Sequence, residues 1–334
     1  MMKKIKGKSL AAAIVMSMAF SLTCAANTPE ATPVVPEAAS STVEEVATPA
    51  ATTVAVQVEV KQPVMQAVQE ESKGHINWEN PTGADVTAMG VGIPPETPNP
   101  AQAKALARRA AIVDAQRNLL DTIKGAQIDA DTLMENLIIV SDTVKSKVSG
   151  LIVGATVVDE GTNEDGSYFV RMSIPVFGKE KSVASVALPE VSKNVVPEPL
   201  PKVTKTTLPK AEVKEIKQTK YTGVVVDADN MGLEATFAPV IYDTNGRVVY
   251  GLANLDKDKA ISEGMVAYAN VIQDATNGNR AGDNPLVVKA VEVKGGKNSV
   301  NPVNVVVSVE DADKILLANE NTQMLNAAAV VFVK

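Results

Sequence analysis

The chain has 334 residues, a formal net charge of −7 and an aromatic content of only 3%. An acidic chain with few aromatic side chains lacks the means to neutralise phosphates and to stack on bases, so we expect no nucleic-acid partner. The single histidine and single cysteine leave little material for metal sites or histidine-dependent catalysis. We therefore predict that the chain is not an enzyme and holds no cofactor and no metal.

Residues 1–26 have the pattern of an export signal, with four lysines before a short apolar run and small residues at its end. The run is shorter than the roughly 20 apolar residues that span a bilayer. Cys24 is a candidate for lipidation, and the alternative is that it is lost with the signal. Because Ser21 and Thr23 fit a lipoprotein box poorly, we favour simple secretion. The expected location is the bacterial periplasm, outer membrane or cell surface, with membrane contact only through a lipid anchor at Cys24.

Residues 27–73 are dominated by Ala, Pro, Thr, Val and Glu, with seven glutamates and two lysines. A segment with so few bulky apolar residues cannot bury a core, so we predict a disordered acidic stalk. A second polar stretch with several prolines, residues 179–219, indicates an interdomain linker. The segments on either side of it, 74–178 and 220–334, each have the usual size of a domain.

The domain predicted over 74–178 begins with a strand over Thr87–Ile93, where larger residues alternate with smaller ones. A helix over 101–120 follows. Asn99 is the expected N-cap, a proline occupies the first turn, and Gly125 is the expected end.

A second helix is predicted near Ser141–Val148. After it, the runs LIVGATVVDE and SYFVRMSIPVF alternate apolar with polar residues, and GTNEDG joins them. This pattern predicts a β-hairpin with Asp165 and Gly166 at its turn.

The domain predicted over 220–334 starts with the strand YTGVVVDA, and a hairpin should surround Asn245 and Gly246. Asp256 should cap a helix that reaches Tyr268. The remaining predicted elements are the strands LVVKAVEV and NPVNVVVSV, a helix over Asp311–Asn319 and a final strand, AAAVVFVK. Strands and helices mix without a regular βαβ rhythm, which favours an α+β fold: two small domains of helices and antiparallel sheets on a Pro/Ala-rich stalk.

The 101–120 helix carries its apolar residues in two stripes about 100° apart, Leu106, Val113 and Leu120 in one and Ile112, Leu119 and Ile123 in the other. We expect the two stripes to form one broad face for the sheet, with the Leu106 stripe packed on the 151–176 hairpin, and the opposite side, with Ala111, to face water or a partner. Arg109 lies between the stripes. It is either a buried structural charge, satisfied by a carboxylate or by carbonyls, or a receptor for an anionic ligand.

Three further features are interpreted structurally. Trp78 is expected to anchor the edge of a core, and His75 has no partner that would make it catalytic. The segment from Asp227 to Gly232 resembles a calcium loop, but its fifth position is Met231 and the twelfth-position glutamate is missing. We interpret it as a solvated turn.

Within about residues 84–178, the chain contains the segments VGIPP, QAKALARRAAIVDAQRNLL, Lys124-Gly125, SGLIVGATVV and DGSYFVRMSIPVFG. Together these segments resemble the LPP-twenty family of bacterial envelope lipoproteins, to which flagellar assembly proteins of the FlgP and FlgT kind look related. The resemblance covers roughly a third of the chain. It implies an envelope protein, often attached to the outer membrane, with a structural or assembly role and no known catalysis.

The expected partners are therefore other envelope proteins or further copies of the same chain. An alternative is a periplasmic or surface module that binds a cell-wall or small anionic ligand, with Arg109 as the residue that receives the anion.

Overall fold

A computed structural model describes residues 74–79, 83–277 and 280–334, and these residues belong to one compact unit. The predictions for the signal, for Cys24 and for the stalk over 27–73 lie outside the described residues.

The chain forms thirteen strands and eight helices within the described residues. The strands are β1 (His75–Asn77), β2 (Asp85–Gly92), β3 (Gln127–Asp129), β4 (Thr132–Leu133), β5 (Thr156–Thr162), β6 (Tyr168–Pro175), β7 (Gly223–Asp227), β8 (Ile241–Asp243), β9 (Val248–Tyr250), β10 (Ala267–Ala269), β11 (Pro285–Lys294), β12 (Asn304–Val307) and β13 (Val330–Val333). The helices are α1 (Pro100–Lys124), α2 (Met134–Val140), α3 (Asp142–Val153), α4 (Val183–Val191), α5 (Lys210–Gln218), α6 (Lys257–Glu263), α7 (Ile272–Thr276) and α8 (Val309–Thr322).

The first sheet has the order β1-β2-β6-β5, and all of its pairs are antiparallel. The hairpin predicted between β5 and β6 is confirmed, with Gly166 in the left-handed region at φ 83°. The helix predicted near Ser141 is also confirmed as α3, and the Ser141 side chain accepts a hydrogen bond from the backbone of Val144.

Helix α1 lies across this sheet and begins and ends as predicted. The side chain of Asn99 accepts a hydrogen bond from the backbone N–H of Ala101 at 3.0 Å, and the helix ends at Gly125. The side chains that α1 buries are Ala107, Ala111, Ala115, Leu119 and Ile123.

The face of α1 that packs on the sheet was predicted only in part. Leu119 and Ile123 are buried as expected, but Leu106 and Val113 are not. Leu106 is 41% exposed and Val113 is 60% exposed, whereas Ala111 is fully buried. The reason lies in β2: a Cβ on Gly90 would lie 2.1 Å from the backbone nitrogen of Ala115. So close an approach of helix and strand requires small residues on both, and Leu106 and Val113 are left outside the contact.

Two polar side chains of α1 also close the free edge of β2. The backbone N–H of Val91 donates to the Asp114 carboxylate at 3.1 Å, and the Asn118 amide donates to the carbonyl of Met89 at 2.8 Å. Since β1 pairs only with residues 85–87, these contacts satisfy backbone groups that an edge strand otherwise exposes.

The second sheet has the order β10-β13-β7-β11-β12-β8-β9. Its pairs β10–β13, β13–β7, β7–β11 and β12–β8 are parallel, and only β11–β12 and β8–β9 are antiparallel. The α+β class is confirmed, but this sheet is mixed, whereas we expected antiparallel pairing. Strands β7, β12 and β13 are valine-rich and buried along almost their whole length, as is typical of strands covered on both faces. Strand β11, between β7 and β12, instead exposes alternate residues, among them Val287 and Val291.

In residues 220–334, the predicted hairpin turn and the predicted helix cap are both confirmed. The β8–β9 hairpin turns at Gly246, with φ 81°, and the Asp256 side chain accepts from the backbone of Lys259 at the start of α6. The helix does not reach Tyr268, however. It ends at Glu263 because Gly264 takes φ 79°, and Tyr268 lies in β10.

Residues 179–219, for which we predicted a linker, contain α4 and α5. Helix α4 starts with a capping box formed by Ser182 and Ser185 and packs against α3 and α6. Its apolar run VASVAL is almost completely buried. The linker was predicted from the composition of the whole segment, which is rich in proline and lysine. A short apolar run changes that composition little, so the helix was missed.

One apolar cluster contains residues from both sheets. Backbone contacts reinforce it, because Ala238 donates to the carbonyl of Ile128 in β3 at 2.8 Å and the Thr236 hydroxyl donates to the carbonyl of Gln127 at 2.9 Å. The β3–β4 hairpin therefore connects the part before residue 179 to the part after residue 219.

Candidate binding cleft

A cleft of about 890 Å³ opens between the two parts of the fold. One wall comes from residues 78–79 after β1, from residues 83–84 before β2, and from the ends of β2 and β6. The other wall comes from the end of α6, from β10, and from the loops that precede β11 and follow α8. Its volume is in the range of ordinary small-ligand sites.

Aromatic side chains form the apolar part of the cleft. Trp78 meets Phe237 edge-on with ring centroids 5.1 Å apart, and it meets Tyr268 at 5.6 Å. Phe177 packs on Phe237 from the first sheet's side at 5.7 Å. Of these four residues, Phe237 is fully buried, and the other three line the cleft. The expectation that Trp78 anchors the edge of a core is confirmed.

The Tyr268 hydroxyl is committed to the protein. It accepts a hydrogen bond from the backbone N–H of Thr236 at 3.0 Å and donates to the carbonyl of the same residue at 3.1 Å. Burial raises the pKa of Tyr268 well above its ordinary value, so the phenol stays neutral. The ring therefore offers an apolar surface to the cleft.

Arg280 supplies the positive charge of the cleft. Its guanidinium donates to three backbone carbonyls: Nε to Ala328 at 2.6 Å, Nη1 to Glu263 at 2.6 Å and Nη2 to Gly264 at 2.5 Å. Burial lowers the pKa of Arg280, while Tyr250 and Glu263 act in the opposite direction. An arginine stays protonated in proteins, so the group remains a cation held in a fixed plane.

Three carboxylates share the cleft with Arg280, and each has an ionic or hydrogen-bonding partner in the protein. Glu79 lies 2.9 Å from the Lys334 ammonium, Glu263 lies 2.8 Å from that of Lys259, and Asp85 accepts from the Ser173 hydroxyl at 2.8 Å. Among the described side chains, no ion pair includes Arg280.

The sequence placed its candidate anion receptor elsewhere. Arg109 is exposed on α1 and does not line the cleft, so the prediction of a buried charge was wrong. Its neighbour Arg108 instead forms an ion pair with Glu160 of β5 at 2.7 Å. Once the alanines face the sheet, position 109 rotates outward with Val113.

The other residues considered from the sequence are accounted for locally. His75 lies in β1, with Nε2 3.3 Å from the Thr87 hydroxyl. Asp227 accepts from the backbone N–H of Asp229 at 3.1 Å within a turn. In the described part of the chain, no three His, Cys, Asp or Glu side chains are arranged to hold a metal ion.

Sequence reasoning missed Arg280 because its partners are backbone carbonyls from distant segments. No spacing in the sequence brings Glu263, Gly264 and Ala328 together, and the arginine itself sits in a polar loop with no motif. The aromatic residues of the cleft are likewise separated along the chain. Because the chain has so few of them, their clustering at one place could have been expected.

Comparison with known proteins gives one partial match. Residues 223–334, about a third of the chain, match the family model described as the second domain of Treponema pallidum Tp0624. A search of curated proteins found no match to the chain. The matched residues include β7 to β13 and contribute one wall of the cleft.

None of the helices in the described ranges has the length and apolar character required to span a bilayer.

Proposed function

We propose that the protein is an exported, non-enzymatic component of the bacterial cell envelope with a structural or assembly role. It works through protein contacts made by the outer face of α1, which consists of Leu106, Arg109, Val113 and Arg117. The observation that carries this proposal is that α1 buries alanines against the sheet and leaves Leu106 and Val113 exposed. The signal pattern in residues 1–26 and the resemblance over 84–178 support the location.

The outer face has the composition of a contact surface. Apolar side chains removed from water in an interface contribute roughly 25 cal/mol per Å² of buried area. Arg109 and Arg117 flank Leu106 and Val113 and are themselves exposed. Arginine is enriched in protein interfaces, and its charge favours an acidic partner surface. We therefore infer that the partner is an envelope protein with an apolar patch bordered by carboxylates.

A photo-crosslinking experiment tests this proposal. A photoreactive phenylalanine analogue at Val113, in cells that make the protein naturally, should give a discrete protein adduct. The same analogue at Val300, which is 93% exposed, is the matched control and should not give that adduct. Arg109→Glu combined with Arg117→Glu should remove the adduct, whereas the corresponding lysine pair should retain it.

Three results would contradict the proposal: no protein adduct at position 113, an adduct with lipid alone, or an adduct that survives charge reversal. An adduct containing two copies of this chain, lost on charge reversal, would identify the partner as the protein itself.

The second candidate function is a binding module for a cell-wall or small anionic ligand. The cleft favours it, because Arg280 places a fixed cation beside an aromatic wall. The two functions use different surfaces and can coexist in one molecule.

A further inference from the structure

We propose that the cleft binds the C-terminal carboxylate of a short peptide, with Arg280 as the carboxylate receptor and Trp78, Phe177 and Tyr268 as the apolar wall. This inference rests on the second candidate function, the binding module, and does not depend on the function proposed for the outer face of α1.

The guanidinium of Arg280 is oriented before any ligand arrives. A guanidinium has five N–H groups, one on Nε and two on each Nη. The three carbonyl contacts occupy one N–H on each nitrogen, so each Nη keeps a second N–H. An arginine held in one plane is suited to the two oxygens of a carboxylate, and its side-chain entropy has already been lost on folding.

The charges around Arg280 restrict the ligand to one negative group. Glu79, Asp85 and Glu263 line the same cleft, so a phosphate dianion or a polyanion would meet repulsion from several sides. A single carboxylate can pair with Arg280 while the rest of the ligand remains neutral or carries an ammonium group. Peptides with a free C-terminus have this charge distribution.

The size and lining of the cleft fit a peptide of a few residues. The volume of about 890 Å³ lies near the upper end of small-ligand pockets, which run from about 300 to 1,000 Å³. The aromatic rings can contact small apolar side chains. The hydroxyls of Ser173 and Ser262 donate within the protein, so their oxygens can accept from peptide N–H groups.

Arg280 also has a structural role, because cations stabilise helix C-termini and two of its carbonyl partners lie at the end of α6. A purely structural arginine would not distinguish a peptide carboxylate from an amide. The two roles therefore differ in what a ligand titration shows.

The test uses the one tryptophan of the chain, Trp78, which lines the cleft. Tri-alanine and N-acetyl-tri-alanine, titrated into the full-length protein, should each change the Trp78 fluorescence to saturation. Tri-alaninamide, which lacks the carboxylate, should bind at least about tenfold more weakly, because a charge-assisted pair is lost. Calorimetry of the same titrations provides a readout that does not depend on the fluorophore.

Two variants separate recognition from folding. Arg280→Lys keeps the charge but loses the planar fork, and should weaken tri-alanine binding about tenfold. Ala327→Glu places a carboxylate at an exposed cleft position beside Ala328 and should abolish tri-alanine binding without changing the unfolding temperature. Ala105→Glu, at an exposed position of α1, adds the same charge and should bind normally.

The proposal is overturned if no peptide gives a fluorescence change or a heat of binding. It is equally overturned if the amide binds as tightly as the free acid, or if Ala327→Glu binds tri-alanine as well as the unchanged protein does.

Discussion

At the residue scale, the neighbouring positions 111 and 113 have opposite roles. Ala111 is fully buried against β2, and Val113 points to solvent at 60% exposure. Ala111→Asp should cost several kcal/mol, because it buries an unpaired carboxylate, against a total of about 5–15 kcal/mol for a domain. Val113→Asp should stay within about 0.5 kcal/mol, as surface changes usually do.

Thermal unfolding of the two variants, followed by circular dichroism, compares these effects. Equal losses would mean that the outer face of α1 is covered in the isolated protein, and the face could not then receive a partner.

The features that sequence predicted correctly are those fixed by a few adjacent residues. Asn99 and Gly125 bound α1, and Gly166 and Gly246 mark the hairpin turns, because a cap or a left-handed turn depends on the local backbone. The face of α1 depends instead on Gly90, a residue of another element. Ranking side chains by size could not reveal that alanines of α1, rather than Leu106 and Val113, meet the glycines of β2.

The candidate site was predicted less well than the fold, for a related reason. Trp78 was recognised as a core anchor, but the cleft beside it requires Arg280 to meet carbonyls of α6 and of the loop after α8. Those contacts involve backbone groups, which every residue has, so the sequence carries no signature for them.

At the scale of elements, the approach of α1 to β2 is limited by glycine. A Cβ on Gly92 would lie 2.0 Å from the carbonyl oxygen of Ala107, so Gly92→Ala must displace the helix. We expect it to destabilise the protein by about 1–3 kcal/mol, as overpacking usually does. Gly150→Ala is the matched control, since a Cβ there meets open space within α3 and should stabilise by about 0.5–1 kcal/mol.

Urea unfolding of both glycine variants gives the two free energies. If Gly92→Ala left the free energy of unfolding unchanged, helix and strand would have to lie farther apart than the described contact.

At the scale of the whole molecule, the aromatic cluster and the β3–β4 contacts join the two parts of the fold. Trp78 and Phe177 come from the first part, and Phe237 and Tyr268 from the second. Because these rings pack on one another, each part contributes to the core of the other. Two parts joined in this way should unfold together, since loss of either exposes apolar surface of both.

The expected result is one cooperative transition, with coincident midpoints for Trp78 fluorescence and for far-ultraviolet circular dichroism. Phe237→Ala should lower both midpoints equally. The free energy of unfolding should fall by about 3–5 kcal/mol, because Phe237 is fully buried among the rings. Val300→Ala, at a 93% exposed position, is the control and should leave both midpoints unchanged. Two separate transitions, with Phe237→Ala shifting only one of them, would instead indicate two independent domains joined by residues 179–219. The cleft would then be bounded by walls free to separate, and peptide binding would have to hold them together.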